Sequence, residues 1–250
     1  MKRAQFLQKM LAIAVWLLIW QLVSLNISQE MLLASPASVA KTLFQLFAEP
    51  SFWQRVLFSL MRVAYGFMYA FFSGILFAAL AYRFTAIKIL LHPFMGVIKA
   101  APVASYIILC LLFLPSRQLS VLISFLMALP IIYTNILGGL CSTDHKLLEM
   151  AKVFRISFTR KIIYIYFSQL MPFLISACSL SLGMCWKAGI AAEVIGLPRG
   201  SIGEMLYQAK IFLDSPSLLA WTIVVIIISF LFEKAFLIAL QHISAAIERR

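Results

Sequence analysis

Long apolar stretches without Asp, Glu, Lys or Arg recur along the chain, separated by short polar segments. A helix needs about 20 apolar residues to cross the hydrocarbon core of a membrane. Backbone polar groups in lipid must be bonded within the segment, which a single stretch achieves only as a helix. The pattern predicts an all-α membrane protein with about six transmembrane helices, at residues 10–29, 63–82, 100–116, 118–143, 162–186 and 215–232.

The third of these spans has alternative boundaries. It extends back through residues 89–98 if Lys99 is tolerated in the membrane. The region 87–116 is also long enough for a re-entrant or interfacial turn at His92-Pro93, because proline ends or kinks a helix. The sequence leaves these boundaries open.

Two segments outside the spans are amphipathic. Ser35 and Pro36 are an N-cap and a first-turn proline, so residues 37–49 predict a helix that lies on the outer membrane surface. The second segment, 142–161, links spans four and five, and its apolar residues are interleaved with basic ones. This pattern fits a helix on the lipid surface and a helix offered to a cytosolic partner equally well.

Composition narrows the class of protein. Of the 250 residues, 63% are hydrophobic and 12% are charged. A soluble domain carries about 45–50% apolar and about 25% charged residues. The composition therefore excludes a soluble enzyme, a nucleic-acid-binding module and a disordered chain.

The net charge of +12 is distributed unevenly. If the N-terminus is inside, thirteen Lys and Arg residues lie in cytoplasmic segments and five lie in external loops. Basic residues concentrate in cytoplasmic loops and are attracted to anionic lipid headgroups. We therefore expect a multi-pass protein with both termini cytoplasmic, in contact with the lipid bilayer and without a nucleic-acid partner.

The link between spans four and five resembles the EAA loop of binding-protein-dependent ABC importer permeases. That pattern has the form E-A-A, three residues, G-A-S, and a stretch that ends in L-P. The matching residues are Glu149-Met150-Ala151, Phe154-Arg155-Ile156-Ser157 and Leu170-Met171-Pro172. Met150 stands in place of the second Ala, and Arg155 stands in place of the usual Gly.

Motifs that flank the loop resemble the sulfonate/taurine/nitrate-type subgroup of these permeases. The resemblance runs from about Ser59 to Arg250, and the loop 113–117, where the family often has F-G-x-G, diverges from it. The motifs are Ser59-Leu60-Met61-Arg62-Val63 with Gly66-Phe67; Pro102-Val103-Ala104; Ala192-Glu193-Val194-Ile195-Gly196 with Gly200-Ser201-Ile202-Gly203 and Ala209; and Ile247-Glu248-Arg249-Arg250.

The resemblance implies a type I ABC importer (MetI-like) transmembrane fold in the bacterial plasma membrane. Residues 1–58 would supply a transmembrane helix and the external amphipathic helix, and residues 59–250 the core, with the coupling loop at 142–172. Two copies would form a homodimeric pathway. Two ABC ATPase subunits would dock inside, and a substrate-binding protein would dock outside. The substrate would be a small anionic or polar solute of the sulfonate, taurine, nitrate or vitamin-precursor type.

ATP and Mg²⁺ would be bound by the partner ATPase, and no cofactor by this chain, because the sequence has no P-loop of the G-x-x-x-x-G-K-[ST] type. The chain is therefore not expected to be an enzyme. The resemblance implies an ATPase-coupling loop with Glu149, Ala151, Phe154, Arg155, Ser157 and Pro172. Glu149 would pair with a basic residue of the ATPase or cap its own helix, and Ala151 and Phe154 would supply apolar contact. Pro172 would mark the break as the chain enters span five.

Two groups of residues are candidates for the translocation pathway or gate: Lys99 with Pro102, and Lys187 with Gly189 and Glu193. A lysine inside a span normally faces a cavity or a partner. Lys187 either lines the pathway as a cation that favours anions or snorkels to the outer interface. Glu193 either pairs with Lys187 across a dimer axis or caps the following outer turn. Lys99 either lies near the path, where Pro102 breaks the helix, or is an ordinary interfacial lysine.

A stand-alone secondary transporter or channel is the alternative function. Such a protein is expected to carry paired carboxylates inside the membrane or inverted repeats. Glu193 is the one carboxylate near a span end, and no internal repeat is evident. His92, His145 and His242 are scattered and predict neither a metal site nor a proton relay, so no catalytic or metal-binding residue is expected.

Overall fold

The computed structural model describes residues 2–27 and 33–248, and the regular elements within these ranges are all helical. A π-helical segment, Ile162–Phe167, joins α8 to α9. The α-helices are α1 Lys2–Ile27, α2 Pro36–Ala48, α3 Pro50–Arg83, α4 Thr85–Ala100, α5 Val103–Leu111, α6 Ser116–Cys141, α7 His145–Val153, α8 Phe158–Lys161, α9 Ser168–Gly196, α10 Ile202–Ile211 and α11 Ser215–Glu248. The predicted all-α class is confirmed.

Four helical segments in the described ranges are long and apolar enough to cross a membrane: α3, Phe158–Gly196, α6 and α11. The pair α4 and α5 makes a fifth if it counts as one span. Helix α1 contains a shorter apolar stretch, Met10–Asn26, and residues 28–29 of the first predicted span lie outside the described residues. The described chain thus has four or five such spans, where the sequence predicted about six.

The predicted third span at 100–116 is not a single helix, and the break expected at Pro102 is present. Helix α4 ends at Ala100, and α5 begins at Val103 after a bend of 99°. Proline disfavours the helical conformation in the residue before it, and Ala101 accordingly has an extended backbone, with φ −79° and ψ 142°. The alternative turn at His92-Pro93 is wrong, because Pro93 lies inside α4.

Helices α3, α6 and α9 form the centre of the molecule. Small residues let them approach closely, as is usual in membranes. A Cβ added at Gly66 in α3 would overlap the carbonyl oxygen of Val121 in α6, and one at Gly189 in α9 would lie 2.6 Å from the Ser124 Oγ of α6. Helix α11 packs on this centre through an edge-to-face contact between Phe232 and Trp186 of α9.

The relative direction of α6 and α9 can be read from two contacts between them. The Ser124 hydroxyl, early in α6, donates to the carbonyl of Cys185, late in α9, at 3.2 Å. Gly139, late in α6, lies instead against Leu170, early in α9. The two helices are therefore antiparallel, with α7 at one end of the pair and α10 at the other. We call these the α7 end and the α10 end.

Helix α2 has the predicted start. The Ser35 hydroxyl caps it by accepting from the Ser38 N–H at 3.2 Å, and Pro36 occupies the first turn. Val39 is buried in a cluster with Ala220 of α11, whereas Phe44 is exposed, so the helix is amphipathic as expected. The predicted division between residues 58 and 59 falls inside α3.

Candidate functional site: the coupling segment and a buried polar cluster

The segment predicted to couple to an ATPase contains a short helix, α7, at one end of the α6–α9 pair. The Asp144 carboxylate caps α7 by accepting from the Lys146 N–H at 2.8 Å. The Asp144 N–H in turn donates to Oε1 of Gln169 in α9 at 3.0 Å. Asp144 therefore takes the capping role that was one alternative for Glu149, and it ties α7 to α9.

Helix α7 ends in a Schellman motif. The Ile156 N–H donates to the Ala151 carbonyl at 3.0 Å, and the Arg155 N–H donates to the Lys152 carbonyl at 3.1 Å. Arg155 has a φ of +48°, in the left-handed region that glycine adopts most readily. The bend for which the family uses Gly is thus formed here with Arg155 in its place.

The side chains of α7 divide into a buried and an exposed set. Ala151 is 3% exposed, so it packs within its own chain and is not available for the predicted contact with a partner. Val153 and Phe154 are 78% and 71% exposed. Glu149 is exposed as well. The available surface therefore combines apolar side chains with a carboxylate.

The predicted break at Pro172 is wrong. Pro172 lies inside α9, which runs without interruption from Ser168 to Gly196. Membrane helices tolerate proline because neighbouring groups satisfy the freed carbonyl. The irregularity lies earlier, in the π-helical segment Ile162–Phe167. Ser157, the remaining predicted residue of the loop, is exposed and precedes α8.

At the opposite end, two of the motifs that carry the resemblance meet. The Ser59 hydroxyl of α3 donates to Oε2 of Glu193 in α9 at 2.7 Å. The N–H groups of Ile202 and Gly203, in the first turn of α10, donate to Ser59 Oγ at 3.0 Å and to Glu193 Oε2 at 3.3 Å. Glu193 is 0% exposed and caps α10, as one of the two predictions for it stated.

Arg62 is the cation of this cluster and is 8% exposed. Its Nη2 donates to the carbonyl of Arg117 in α6, and its guanidinium lies 4.1 Å from the ring centroid of Phe58. Glu193 carries the opposite formal charge. We call Ser59, Arg62, Ser120 and Glu193, with the first turn of α10, the buried polar cluster.

Three buried atoms of this cluster have no hydrogen-bond partner in the described chain: Arg62 Nη1, Ser120 Oγ and Glu193 Oε1. The Ser120 hydroxyl faces the Glu193 carboxylate and also lies beside Gly189, so Ser120 and Glu193 are polar neighbours of each other. Buried polar groups are nearly always paired, so three such atoms in one cluster require an explanation.

The turn between α9 and α10 is held by its own side chains. The Ser201 hydroxyl accepts from the Glu204 N–H at 3.0 Å, and Glu204 Oε2 accepts from the Gly200 N–H at 2.6 Å. Gly200 has a φ of +80°. The sequence signal for this helix start is Ser201 followed by Glu204 three residues later, the capping-box spacing. We did not predict α10 from it.

The structure separates the five residues predicted for the pathway. Gly189 and Glu193 are buried inside the chain, where Gly189 allows α9 to approach α3 and α6. Lys187, by contrast, is exposed on α9. Lys99 is exposed beside the helix break at Pro102, and its Nζ lies 3.4 Å from Thr134 Oγ1 of α6.

Sequence reasoning did not assign Ser59 and Arg62 to any site. Both belong to the motif that resembles the start of the second span in the permease subgroup. An arginine in or beside a predicted span was the available signal, because such a residue normally has a partner inside the protein.

Residues 70–249 match the family model described as binding-protein-dependent transport system inner membrane component. The chain belongs to this family. Its all-helical structure agrees with the MetI-like fold, and the resemblance noted from the motifs is confirmed. The family is a transport permease family, not an enzyme family.

Several curated permeases are similar to this chain. The putative aliphatic sulfonates transport permease protein SsuC of Bacillus subtilis (strain 168) is 25% identical over 225 residues, which is 89% of this chain and 81% of that protein. The nitrate import permease protein NrtB of Synechococcus elongatus is 25% identical over 218 residues, covering 83% and 78%. The taurine transport system permease protein TauC of Escherichia coli (strain K12) is 24% identical over 231 residues, covering 88% and 81%.

Proposed function

We propose that this permease is the membrane-spanning subunit of an ATP-driven importer. Two copies form the translocation pathway, two separate ABC ATPase subunits dock on the coupling loop, and a substrate-binding protein docks at the α10 end. In this assignment the α7 end and both termini are cytoplasmic. The dense basic cluster of segment 142–161 supports that orientation.

The observation that supports this proposal is the exposed face of α7. Val153 and Phe154 present apolar surface with no covering element in the described chain, and Glu149 stands beside them. An amphipathic helix of this kind fits into a hydrophobic groove of a partner. In the proposed complex, Phe154 enters the groove of the ATPase and Glu149 pairs with a basic residue at its rim.

The hydrogen bond between Asp144 and Gln169 allows a movement of the docked α7 to be transmitted to the membrane-spanning helix α9. ATP binding closes the two ATPase subunits and draws the two α7 helices together. Because Asp144 is bonded to Gln169 at the start of α9, this movement pulls on the helix that carries Lys187. The pathway turns outward to receive substrate, and ATP hydrolysis resets it.

The substrate is proposed to be a small anion. Lys187 is exposed on a helix long and apolar enough to span the membrane, and a lysine there faces a cavity or a partner in preference to lipid. In the dimer, Lys187 and Lys99 face the pathway and favour negative charge. Aliphatic sulfonates, nitrate and taurine, named for the relatives, all carry an anionic group.

Copurification with the cognate ATPase tests the docking assignment. Phe154→Ala is expected to weaken ATPase binding about tenfold, as the loss of a buried aromatic anchor does. Glu149→Lys should weaken it as well. The matched control is Phe113→Ala, because Phe113 is also highly exposed, at 79%, and lies just before α6 at the α10 end. Equal ATPase binding by all three variants and the wild type would rule out α7 as the docking helix.

Uptake by proteoliposomes tests the substrate class. The complete complex, with its binding protein, is supplied with labelled taurine, an alkanesulfonate or nitrate. Lys187→Gln should lower uptake of the transported anion about tenfold, whereas Lys234→Gln, at an exposed position in α11, should leave it unchanged. Uptake that needs no ATPase would instead identify a stand-alone transporter.

A further inference from the structure

A groove of about 920 Å³ opens at the α7 end, between α3, α6 and the segment that joins α7 to α9. Its walls are mostly apolar, and they include Ile75 and Ala79 of α3, Ile136 of α6 and Ile162 of the π-helical segment. Among the described residues that line it, Arg83 is the one charged residue. We call this cavity the α7-end groove. Its size is within the range of about 300–1,000 Å³ that is usual for ligand pockets.

The groove extends from the end of a membrane span toward the middle of the bilayer. Residues 63–82 of α3 carry no charge, and Arg83 follows them as the last residue of the helix. Ile75 lies about 12 Å before Arg83 along the helix axis, at a rise of about 1.5 Å per residue. The apolar walls therefore lie at the depth of the hydrocarbon, and Arg83 lies at the depth of the lipid headgroups.

Two tyrosines accompany Arg83 in the lining of the groove. Tyr82 and Tyr166 pack edge to face, with ring centroids 6.3 Å apart. Tyrosine is typical of membrane interfaces, and its hydroxyl can donate to a phosphate oxygen. The Arg83 guanidinium lies 5.9 Å from the Phe84 ring centroid, and no carboxylate of the described chain forms an ion pair with it. Its hydrogen-bond donors are therefore available to an anion.

We propose that the α7-end groove is a binding site for an anionic phospholipid. An acyl chain of the lipid lies along the apolar walls, and the phosphate accepts hydrogen bonds from Arg83 and the tyrosine hydroxyls. Charge complementarity selects this occupant. In the described chain the lining holds a cation and no acid, and basic pockets between transmembrane helices bind anionic headgroups. A second copy of this chain would instead bring its own excess of positive charge, since the net charge is +12.

The occupied groove bears on the connection between α7 and α9. One of its walls is the π-helical segment Ile162–Phe167, and helical turns of this kind are rare and recur at functional sites. The lipid would hold this segment against α3 and α6. In the proposed function the segment lies between the docked ATPase and α9, so the lipid would stiffen the link that transmits movement. That consequence rests on the proposed function, whereas lipid binding does not.

Native mass spectrometry of the delipidated permease in detergent tests the proposal. The probes are phosphatidylglycerol and phosphatidylcholine with the same acyl chains, so that the two differ only in the headgroup. The wild type should bind the anionic phosphatidylglycerol about tenfold more tightly. Arg83→Gln should lower this affinity about tenfold and remove the preference, because a charge-assisted bond to the lipid is lost.

Arg160→Gln is the matched control for charge. Arg160 is exposed in α8 at the same end of the molecule, and it does not line the groove. Phe158 and Ile162, four residues apart, share the helix face that lines the groove, whereas Arg160 lies midway between them on the opposite face. This variant should bind phosphatidylglycerol like the wild type. An equal loss in both arginine variants would show diffuse attraction to a basic surface and overturn the proposal.

A second pair of variants tests the apolar part of the site without changing its charge. Ala79→Phe places a ring in the groove, where it should abolish binding of phosphatidylglycerol. Ala79 is exposed, so the larger side chain leaves the packing between helices unchanged. Ala235→Phe, at an exposed position of α11, makes the same change away from the groove and should have no effect. Undiminished binding by Ala79→Phe would overturn the proposal.

The remaining outcomes separate the lipid from other occupants. Displacement of bound phosphatidylglycerol by inorganic phosphate would identify a site for a free anion and overturn the assignment to a lipid. Equal affinity for the two lipids would also overturn it, as would a dimer of the delipidated permease that Ala79→Phe dissociates. These measurements need the permease alone. If no ATPase copurifies, the proposed function fails while the lipid site is still decided by the four variants.

Discussion

Arg155 adopts a backbone conformation that side-chain-bearing residues adopt at a cost. Its φ of +48° places it in the left-handed region, where the contact between Cβ and the backbone costs about 1 kcal/mol that glycine avoids. The two Schellman hydrogen bonds at the end of α7 stabilise the bend in spite of this cost. The replacement of the family's usual Gly therefore changes the stability of the bend and leaves its geometry intact.

This reasoning predicts that Arg155→Gly stabilises the permease by about 1 kcal/mol. The melting temperature of the purified protein should rise by about 2–4 °C. Lys152→Gly is the control, because Lys152 lies within α7, where glycine costs about 1 kcal/mol of helix stability. Two substitutions to the same residue, three positions apart, should therefore shift the melting temperature in opposite directions. A fall with both would show that the Arg155 side chain contributes more than its backbone costs.

At the scale of elements, the contact between α9 and α10 depends on a single glycine. A Cβ added at Gly203 would overlap the Cβ of Glu193, so the two helices touch backbone to backbone. Gly203→Ala must push α10 away from α9 and lengthen the bond to Glu193. We expect a loss of about 1–3 kcal/mol, the usual cost of overpacking.

Thermal unfolding in detergent measures this effect against a matched change in the same fold. Gly183→Ala in α9 is the control, since nothing lies within 4 Å of a Cβ added there. It should leave the melting temperature unchanged or raise it slightly, because alanine favours helix over glycine. Equal melting temperatures for the two variants would show that α10 moves freely relative to α9, in conflict with the close contact.

Most helices of this fold follow from the sequence, because long apolar stretches have few other structures in lipid. Helix α6 differs from its predicted bounds by two residues at each end, whereas α3 and α11 extend well beyond the predicted apolar stretches. The sequence offered two prolines for a break in this region, because His92-Pro93 and Ala101-Pro102 carry the same local signal: the helix breaks at Pro102, as one prediction stated, and not at His92-Pro93. Only packing decides which proline breaks the helix.

The buried polar cluster was only partly predictable, because its contacts depend on which helices pack together. Glu193 was singled out as a carboxylate near a span end, and its capping of the following turn was one of two predictions. Ser59 lies far from it in sequence, and their bond requires α3 and α9 to be neighbours. No local pattern contains that information. The division of Ala151 and Phe154 into a buried and an exposed side chain likewise depends on how α7 rests on its own chain.

At the scale of the whole molecule, the proposed complex assigns binding of the ATPase to one set of residues and transmission of its movement to one hydrogen bond. Phe154 and Glu149 are exposed, whereas Gln169 Oε1 accepts from the N–H of Asp144, the cap of α7. Gln169→Leu removes the acceptor for the Asp144 N–H and leaves the exposed face of α7 unchanged. In the proposed complex this variant should bind the ATPase normally, continue to hydrolyse ATP, and lose about tenfold of the anion uptake.

Copurification, ATP hydrolysis and proteoliposome uptake, measured on the same preparation, distinguish the possible results. The control is Gln241→Leu, which makes the same change at an exposed position of α11 and should alter none of the three. If binding and uptake fall together in Gln169→Leu, Gln169 belongs to the docking surface and the two roles are not separable. If uptake is unchanged, the movement of α7 reaches the membrane by another route, and the covalent connection from α7 to α9, residues 154–167, is the candidate.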